Sequence, residues 1–180
     1  MINMRTVTVC TILVLCFLAI SCGLEKYISL KHNVASGDAM LPTIKEGDHF
    51  ASIGIKDNDI DPIQRFDIVV FKPPRDEKTG TDENSRYVFR IIGVEGEKIE
   101  IKEGLIFIND NILDESSFIK IVSDKYFAPL VVPKGSYFLL GDNRPDSADS
   151  RYIGTIKRED IDGKVDNIIR KEDWDKGKRW

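Results

Sequence analysis

The side chains most suited to chemistry lie together in one polar segment, residues 141–151. Ser147 and Ser150 stand there among three aspartates and two arginines. A serine becomes a nucleophile when a base such as histidine or neutral lysine takes its proton, and this segment contains neither. The composition is also typical of a turn-rich loop, braced by an ion pair between Asp142 and Arg144 or between Asp149 and Arg151. We therefore expect most of these residues to hold a site together rather than to react.

Other reactive residue types are scarce or poorly spaced for a metal or cofactor site. The only histidines, His32 and His49, lack the spacing of metal ligands, and the three cysteines all fall within the first 22 residues. The net charge of −4, without a basic stripe, argues against nucleic acid, because phosphate binding needs clustered lysine and arginine. The sequence predicts no metal, no cofactor and no nucleic-acid partner.

Residues 1–24 have the layout of a secretory signal peptide or membrane anchor. Arg5 is the only charged residue, and an apolar run follows over residues 7–20. That run is short beside the roughly 20 residues that a spanning helix needs, and counting onward to residue 24 gives a marginal span. A positive residue before an apolar core predicts that the rest of the chain lies on the extracytoplasmic side of a membrane.

The end of this segment allows two interpretations. Residues 18–23 resemble a lipoprotein signal, in which cleavage before Cys22 exposes that cysteine for lipid attachment, although Ala19 stands where leucine is usual. Alternatively, Cys22 is a small apolar residue at the end of an uncleaved anchor helix. Both interpretations tether the following domain to a membrane.

The elements that must position the polar segment are mainly β-strands. Runs of β-branched and aromatic residues end at glycine or proline, and helical periodicity is hard to find. Glu103 and Gly104 separate two such runs and predict a hairpin. Strands are predicted at residues 66–71, 87–92, 98–101, 105–108, 127–132, 136–140 and 163–169.

Composition divides the rest of the chain into one β domain and a tail. The domain is expected over residues 25–169, with a polar loop at 75–86 and a small insert at about 97–135. The charge-rich tail, residues 170–180, is expected to fray. The less favoured alternative is that Trp174 and Trp180 dock on the domain or on the membrane interface.

Residues 37–43 resemble the nucleophile box of the type I signal peptidases. Members of that family carry Gly-x-Ser-Met-x-Pro-Thr here, followed by a Gly-Asp pair that matches residues 47–48. Ala39 stands at the position of the nucleophilic serine. The box is otherwise present as Gly37, Asp38, Met40, Pro42 and Thr43.

Two further stretches are similar to boxes of the same family. Residues 65–71 resemble Arg-Gly-Asp-Ile-Val-Val-Phe, with Phe66 where glycine is usual. Residues 87–97 resemble Tyr-Val-Lys-Arg-Ile-Ile-Gly-Leu-Pro-Gly-Asp, with Phe89 at the position of the general-base lysine. Glu95 and Glu97 replace the proline and the aspartate of that box.

The longest match lies at residues 141–154, which resemble Gly-Asp-Asn-Arg-x-x-Ser-x-Asp-Ser-Arg-x-x-Gly at every defining position. In the family this box braces the site, and the serine that corresponds to Ser147 hydrogen-bonds the catalytic lysine. Four boxes in order over about residues 34–156 imply a signal-peptidase-like antiparallel β-sheet domain with a small inserted lobe, behind an N-terminal membrane or signal helix. The remaining site residues carried over from this box are Asp142, Asn143, Arg144, Asp149, Ser150 and Arg151.

The resemblance implies a serine endopeptidase, but the two residues that would perform the chemistry are replaced. Ala39 offers a methyl group and Phe89 a hydrocarbon ring, so neither can attack a carbonyl or accept a proton. Arg90 stays protonated and would point to the opposite face of its strand from Phe89. We expect Phe89 to pack against Ala39 and to close the former dyad cavity.

Three functions follow as hypotheses. The first is an inactive relative at the outer face of a membrane that binds exported preproteins or partners an active signal peptidase. The second is an active signal peptidase I with a non-standard dyad, using Ser36 or Ser147. The third is a structural envelope lipoprotein attached through Cys22.

Overall fold

The computed structural model describes residues 30–54, 62–74, 85–119, 123 and 125–180. The chain divides into two compact units, Met1–Leu30 and Lys31–Trp180, and the second contains nearly all of the described residues. The predicted anchor and Cys22 lie outside the described residues. Within the described ranges, no helix has both the length and the apolar character needed to cross a membrane.

Strands dominate the part of the chain that the structure describes, which confirms the mainly β fold class. Several short runs match the predicted strands closely, although β3 begins two residues later than expected because Phe66 has a positive φ of 75°. In chain order the strands are β1 Leu30–Val34, β2 His49–Gly54, β3 Ile68–Phe71, β4 Tyr87–Gly93, β5 Lys98–Lys102, β6 Leu105–Ile108, β7 Asn111–Ile112, β8 Phe127–Val131, β9 Ser136–Leu140, β10 Ile156–Lys157 and β11 Ile161–Ile169.

The larger sheet contains seven of these described strands, in the order β1-β2-β11-β3-β4-β9-β10. The pairs from β2 to β10 are antiparallel, and β11 lies between β2 and β3 although it comes last in sequence. Register shifts in β11, between Ile161 and Gly163 and between Val165 and Asn167, mark bulges that bend the sheet. The central position of β4 places residues 89 and 90 in the middle of the sheet.

A second antiparallel sheet has the order β7-β6-β5-β8 among the described strands. The predicted hairpin at Glu103 and Gly104 is confirmed, because Lys102 pairs with Leu105 across a two-residue turn. Both turn residues have positive φ, 51° and 77°, as a type I′ turn requires.

Two apolar clusters pack on opposite sides of β4 and β9. Ile91 and Leu139 belong to the first cluster, whereas their neighbours Ile92 and Leu140 belong to the second, which the smaller sheet covers. This alternation follows from the two-residue side-chain period of a strand. One cluster therefore supports the polar segment and residues 37–48, which we call the nucleophile-like box and which include the Gly-Asp pair. The other cluster joins the two sheets.

The tail does not fray, which corrects the favoured expectation for residues 170–180. It forms a short helix, Lys171–Asp175, and docks on the domain. The rings of Trp174 and His49 stack with centroids 4.0 Å apart, and Arg170 pairs with the buried Asp48. Long-range aromatic contacts of this kind leave no periodic pattern in the sequence. The charge-rich composition alone therefore wrongly predicted a frayed tail.

Candidate functional site

An open groove of about 500 Å³ lies between the chain that follows β1 and the first residues of β4. Both replaced positions, Ala39 and Phe89, line it. The apolar floor is built by Met40, Ile44, Phe50, Val70 and Phe89, and the rim carries Ser36, Ser85 and Arg86. The described residues that line the groove include no lysine, histidine or carboxylate.

Phe89 projects into the first apolar cluster and is 4% exposed. Its ring packs beside those of Phe71 and Tyr87, with centroids 5.6 and 5.9 Å away. Ala39 packs against the same cluster, so the two positions share one side of the domain as expected. Both side chains line a groove that remains open, and closure of the former dyad cavity by Phe89 stays a prediction.

Ser147 is buried at 8% exposure, and its hydroxyl has no hydrogen-bond partner among the described residues. It lies beside the nucleophile-like box: a Cβ built on Gly141 would be 2.3 Å from Ser147 Oγ and 2.5 Å from the carbonyl oxygen of Ala39. Only a glycine permits that close approach. The hydroxyl that would contact a catalytic lysine in the resembling family is thus present but unpaired.

Asp142 is fully buried and binds Arg90 through two hydrogen bonds. Arg90 Nε lies 2.8 Å from Oδ1 and Nη2 lies 2.5 Å from Oδ2. Thr43 donates its hydroxyl to the same carboxylate. This geometry corrects the expected pair between Asp142 and Arg144, because Arg144 instead pairs with Glu115 and donates from Nε to the carbonyl of Gly141.

Sequence reasoning missed Arg90 and Glu115 as site residues. Arg90 also donates to the carbonyl of Phe66 over 3.0 Å, and its guanidinium carbon lies 4.1 Å from the centroid of Phe118. The sequence carried no signal for these contacts, because Arg144 stood near Asp142 as an apparent partner and the burial of Asp142 is visible only in the structure.

The expected pair between Asp149 and Arg151 is present, with Arg151 Nε 2.7 Å from Asp149 Oδ1. Asp149 also caps the one-turn helix Ser150–Ile153 by accepting from the amide of Arg151, and it accepts from the amide of Gly141 over 3.1 Å. Ser150 Oγ accepts from the amide of Leu139 over 2.9 Å. These contacts fasten the polar segment to the end of β9.

Asn143 joins the polar segment to the nucleophile-like box. Its amide donates to the carbonyl of Ala39 over 3.0 Å, and its side chain donates to the carbonyl of Asp38 over 3.1 Å. Gly37 precedes them with a φ of 81°, which favours glycine. Within the box, Met40 is buried, Thr43 is half-buried, and Asp38 and Pro42 are exposed.

Asp48 anchors the far end of the same box. Burial would raise the pKa of its carboxyl group, but hydrogen bonds from the Lys45 amide, the Arg170 side chain and the Lys171 amide together hold the pKa below its usual value. Asp48 therefore stays ionised and connects the box to the tail.

The described lining of the groove is an apolar floor with a polar rim, and it includes no histidine, lysine or carboxylate. A peptide could contact the apolar floor and the neighbouring backbone, yet no groove-lining residue described by the structure can deprotonate a hydroxyl. Across the described residues, no group of three or more histidine, cysteine or carboxylate side chains is arranged to hold a metal ion.

Comparison with known proteins places the chain in a family. The family described as signal peptidase, peptidase S26, matches residues 4–170. Signal peptidase I of Bacillus caldolyticus is 34% identical over 146 residues, covering 74% of this chain and 75% of the relative. Signal peptidase I of Leptolyngbya laminosa is 31% identical over 144 residues, covering 79% of this chain and 70% of the relative.

A solved structure is also similar. The crystal structure of a signal peptidase I from Enterococcus faecalis shares 33% identity and aligns with a TM-score of 0.49, covering 60% of this chain and 100% of that chain. The match over residues 4–170 and the identity to the curated relatives support one conclusion. This chain belongs to the signal peptidase family, peptidase S26.

Proposed function

We propose that this chain is a non-catalytic signal peptidase relative that binds extended segments of exported preproteins. The single observation that carries the proposal is the composition of the groove: Ala39 and Phe89 line it, and no base lies among its described lining residues. A methyl group and a phenyl ring can neither attack a carbonyl nor transfer a proton. Loss of a nucleophile and its base typically lowers the rate by several orders of magnitude.

The unpaired, buried hydroxyl of Ser147 supports the same proposal. A buried hydroxyl without a partner is disfavoured, because it gives up hydrogen bonds to water. A lysine amine at position 89 would supply a partner in a working dyad. The phenyl ring cannot, so the hydroxyl is explained as a remnant of a site that has lost its base.

The groove retains what peptide binding requires. Its floor is apolar, and the segment after β1 and the start of β4 form its two sides. An extended peptide recognised in this way contributes main-chain hydrogen bonds, while pockets select alternate side chains. The bound partner in this proposal is an exported preprotein. Residues 1–24 hold this chain at the extracytoplasmic face of a membrane, where it meets that partner.

The proposal is tested with the full chain in detergent and a preprotein that carries an Ala-x-Ala cleavage site. The unmodified chain is expected to leave the preprotein intact, and the double substitution Ala39→Ser with Phe89→Lys is expected to introduce cleavage. Cleavage by the unmodified chain, abolished by Ser36→Ala or Ser147→Ala, would instead establish an active peptidase with a non-standard dyad.

Binding is measured separately with a labelled peptide that spans the same cleavage site. Ala148 is exposed and lines the groove, so Ala148→Trp is expected to weaken binding at least tenfold by obstructing it. The matched control is Ala128→Trp, which adds the same ring to an exposed alanine on β8, outside the groove. Equal affinity of the two variants would contradict binding in the groove.

A lipid anchor at Cys22 remains a proposal that is independent of the groove. Labelling with a palmitate analogue that is lost in Cys22→Ala would support it. Retention of the label in that variant would exclude Cys22 as the attachment site.

A further inference from the structure

The side chains of the two histidines contact each other at one edge of the larger sheet, although the residues are far apart in sequence. His32 lies in β1 and His49 begins β2. His32 Nε2 lies 2.8 Å from His49 Nδ1, and the ring planes are within 11° of parallel. One imidazole must donate and the other accept, so a single proton lies between the two nitrogens. Trp174 stacks on His49 at 4.0 Å and on His32 at 4.9 Å, and the Trp180 ring lies 5.4 Å from that of His32. We call these four residues the His-Trp cluster.

The cluster holds the tail against the nucleophile-like box. His49 follows Asp48, whose carboxylate accepts from the Lys171 amide over 3.0 Å and from Arg170 over 2.5 Å. Arg170 also donates to the carbonyl of Thr43 over 3.0 Å. The docked tail therefore contacts the segment that forms one side of the groove.

A second set of hydrogen bonds continues from Asp48 to the groove wall. The amide of Ala35 donates to the carbonyl of Asp48 over 2.8 Å, and the amide of Gly47 donates to the carbonyl of Ala35 over 2.9 Å. Ala35 itself lines the groove. Release of the tail would thus remove its contacts with Thr43 and Asp48, and Asp48 is in turn bonded to Ala35 of the groove wall.

We propose that the His-Trp cluster is an acid-sensitive latch that docks the tail when the histidine pair is neutral and releases the tail, loosening the groove wall, when both imidazoles are protonated. Two imidazolium groups cannot hydrogen-bond to each other, because each nitrogen in the contact then carries a hydrogen. They also repel each other at this distance.

The charged groups around the histidine pair determine whether docking of the tail strengthens or weakens as the pH falls. Burial and the neighbouring His32 lower the pKa of His49, and Arg179 and Lys171 lower it further, while Asp175 opposes them. Asp48, the carboxylate next to His49, is already engaged by Arg170 and Lys171. With the pKa of His49 lowered in the docked state, docking is favoured above the ordinary histidine value of 6.5 and weakens as the pH falls below it.

The first proton alone is not expected to open the latch. An imidazolium can still donate to a neutral imidazole, so the hydrogen bond survives the first proton, although the added charge beside Arg179 and Lys171 already disfavours docking. The second proton occupies the accepting nitrogen and breaks the bond. Release is therefore expected on the acidic side of pH 6.5.

The chain contains two tryptophans, both in the tail, so tryptophan fluorescence, excited where tyrosine does not absorb, reports on this cluster alone. With the full chain in detergent, lowering the pH from 7.5 to 4.5 is expected to change the tryptophan emission, with a midpoint below 6.5. Amide hydrogen exchange in residues 170–180 and 35–48, corrected for the intrinsic effect of pH, is expected to increase at least tenfold over the same transition.

The matched variant is His32→Gln with His49→Asn, which keeps amide donors and acceptors near the two nitrogens but cannot titrate in this range. It is expected to remain docked at pH 7.5 and to show neither the emission change nor the added exchange at pH 4.5. The proposal is overturned if that variant shows the same transition, or if exchange in both segments of the unmodified chain stays constant across the range. Neither readout depends on peptide binding, so failure of the proposed groove function would not affect the result.

Discussion

Ser147 and Ser150 both lie buried in the polar segment, but the two side-chain hydroxyls differ in their hydrogen bonds. Ser150 Oγ accepts from the Leu139 amide, whereas Ser147 Oγ has no partner among the described residues. Removing an unpaired buried hydroxyl relieves a desolvation cost, but removing a paired one leaves a buried amide unsatisfied. The two serines therefore form a natural matched pair for mutation.

We expect Ser147→Ala to leave the free energy of unfolding unchanged or to raise it. Ser150→Ala should lower it by about 1–3 kcal/mol, because the Leu139 amide loses its partner. Urea denaturation of the full chain measures both. A loss in Ser147→Ala as large as that in Ser150→Ala would show that the Ser147 hydroxyl is satisfied after all.

At this scale the sequence predicted local contacts better than distant ones. Asp149 and Arg151 are two residues apart and pair as expected. Asp142 pairs with Arg90, 52 residues earlier, rather than with its near neighbour Arg144. Local composition indicates that a charge needs a partner, but only the fold decides which distant cation is within reach.

At the scale of elements, the buried pair Arg90 and Asp142 joins β4 to the loop after β9. Side-chain exposure is 9% for Arg90 and 0% for Asp142. Removing one partner of such a pair leaves an uncompensated buried charge, which is much more costly than losing an exposed pair. The contact thus holds the polar segment in place more firmly than surface charges could.

Asp142→Asn is expected to lower the free energy of unfolding by about 3–5 kcal/mol. The control is Glu159→Gln, which breaks the exposed pair with Lys157 and should leave stability unchanged within error. Chemical denaturation midpoints give the comparison. Similar losses of unfolding free energy in both variants would mean that the buried pair of Asp142 stabilises the fold no more than an exposed pair does.

The strands themselves were largely predictable, and the reasons for the exceptions are physical. Residues 105–108 and 136–140 match β6 and β9 because apolar runs end at clear turn residues. β1 and β2 were missed, since their mixed polar sequences, LKHNV and HFASIG, lack simple alternation. β1 lies beside β2, and β2 pairs with β11 from the far end of the chain, which a local pattern does not reveal.

At the scale of the whole molecule, the two apolar clusters share strands. Adjacent residues of β9 enter different clusters, Leu139 the first and Leu140 the second. A strand that belongs to both cores couples them, since neither can lose its packing without disturbing the other. We therefore expect the described domain to unfold in one cooperative step.

Ile106→Ala tests this coupling from the smaller sheet. Ile106 is 1% exposed in the second cluster, so the substitution should cost about 2–5 kcal/mol. At pH 7.5 the circular dichroism signal of the strands and the fluorescence of the distant tryptophans should shift together to lower denaturant concentration. A tryptophan transition that stays at its original midpoint would show that the two regions unfold independently.

The order of Phe89 and Arg90 along β4 also fixes the alignment of that strand. Arg90 reaches Asp142 on one side while Phe89 enters the groove on the other. A slip of one residue would bury the guanidinium in the apolar cluster and leave Asp142 without its counter-charge. Two adjacent side chains of opposite character therefore decide which face of β4 turns toward the groove and which toward the polar segment.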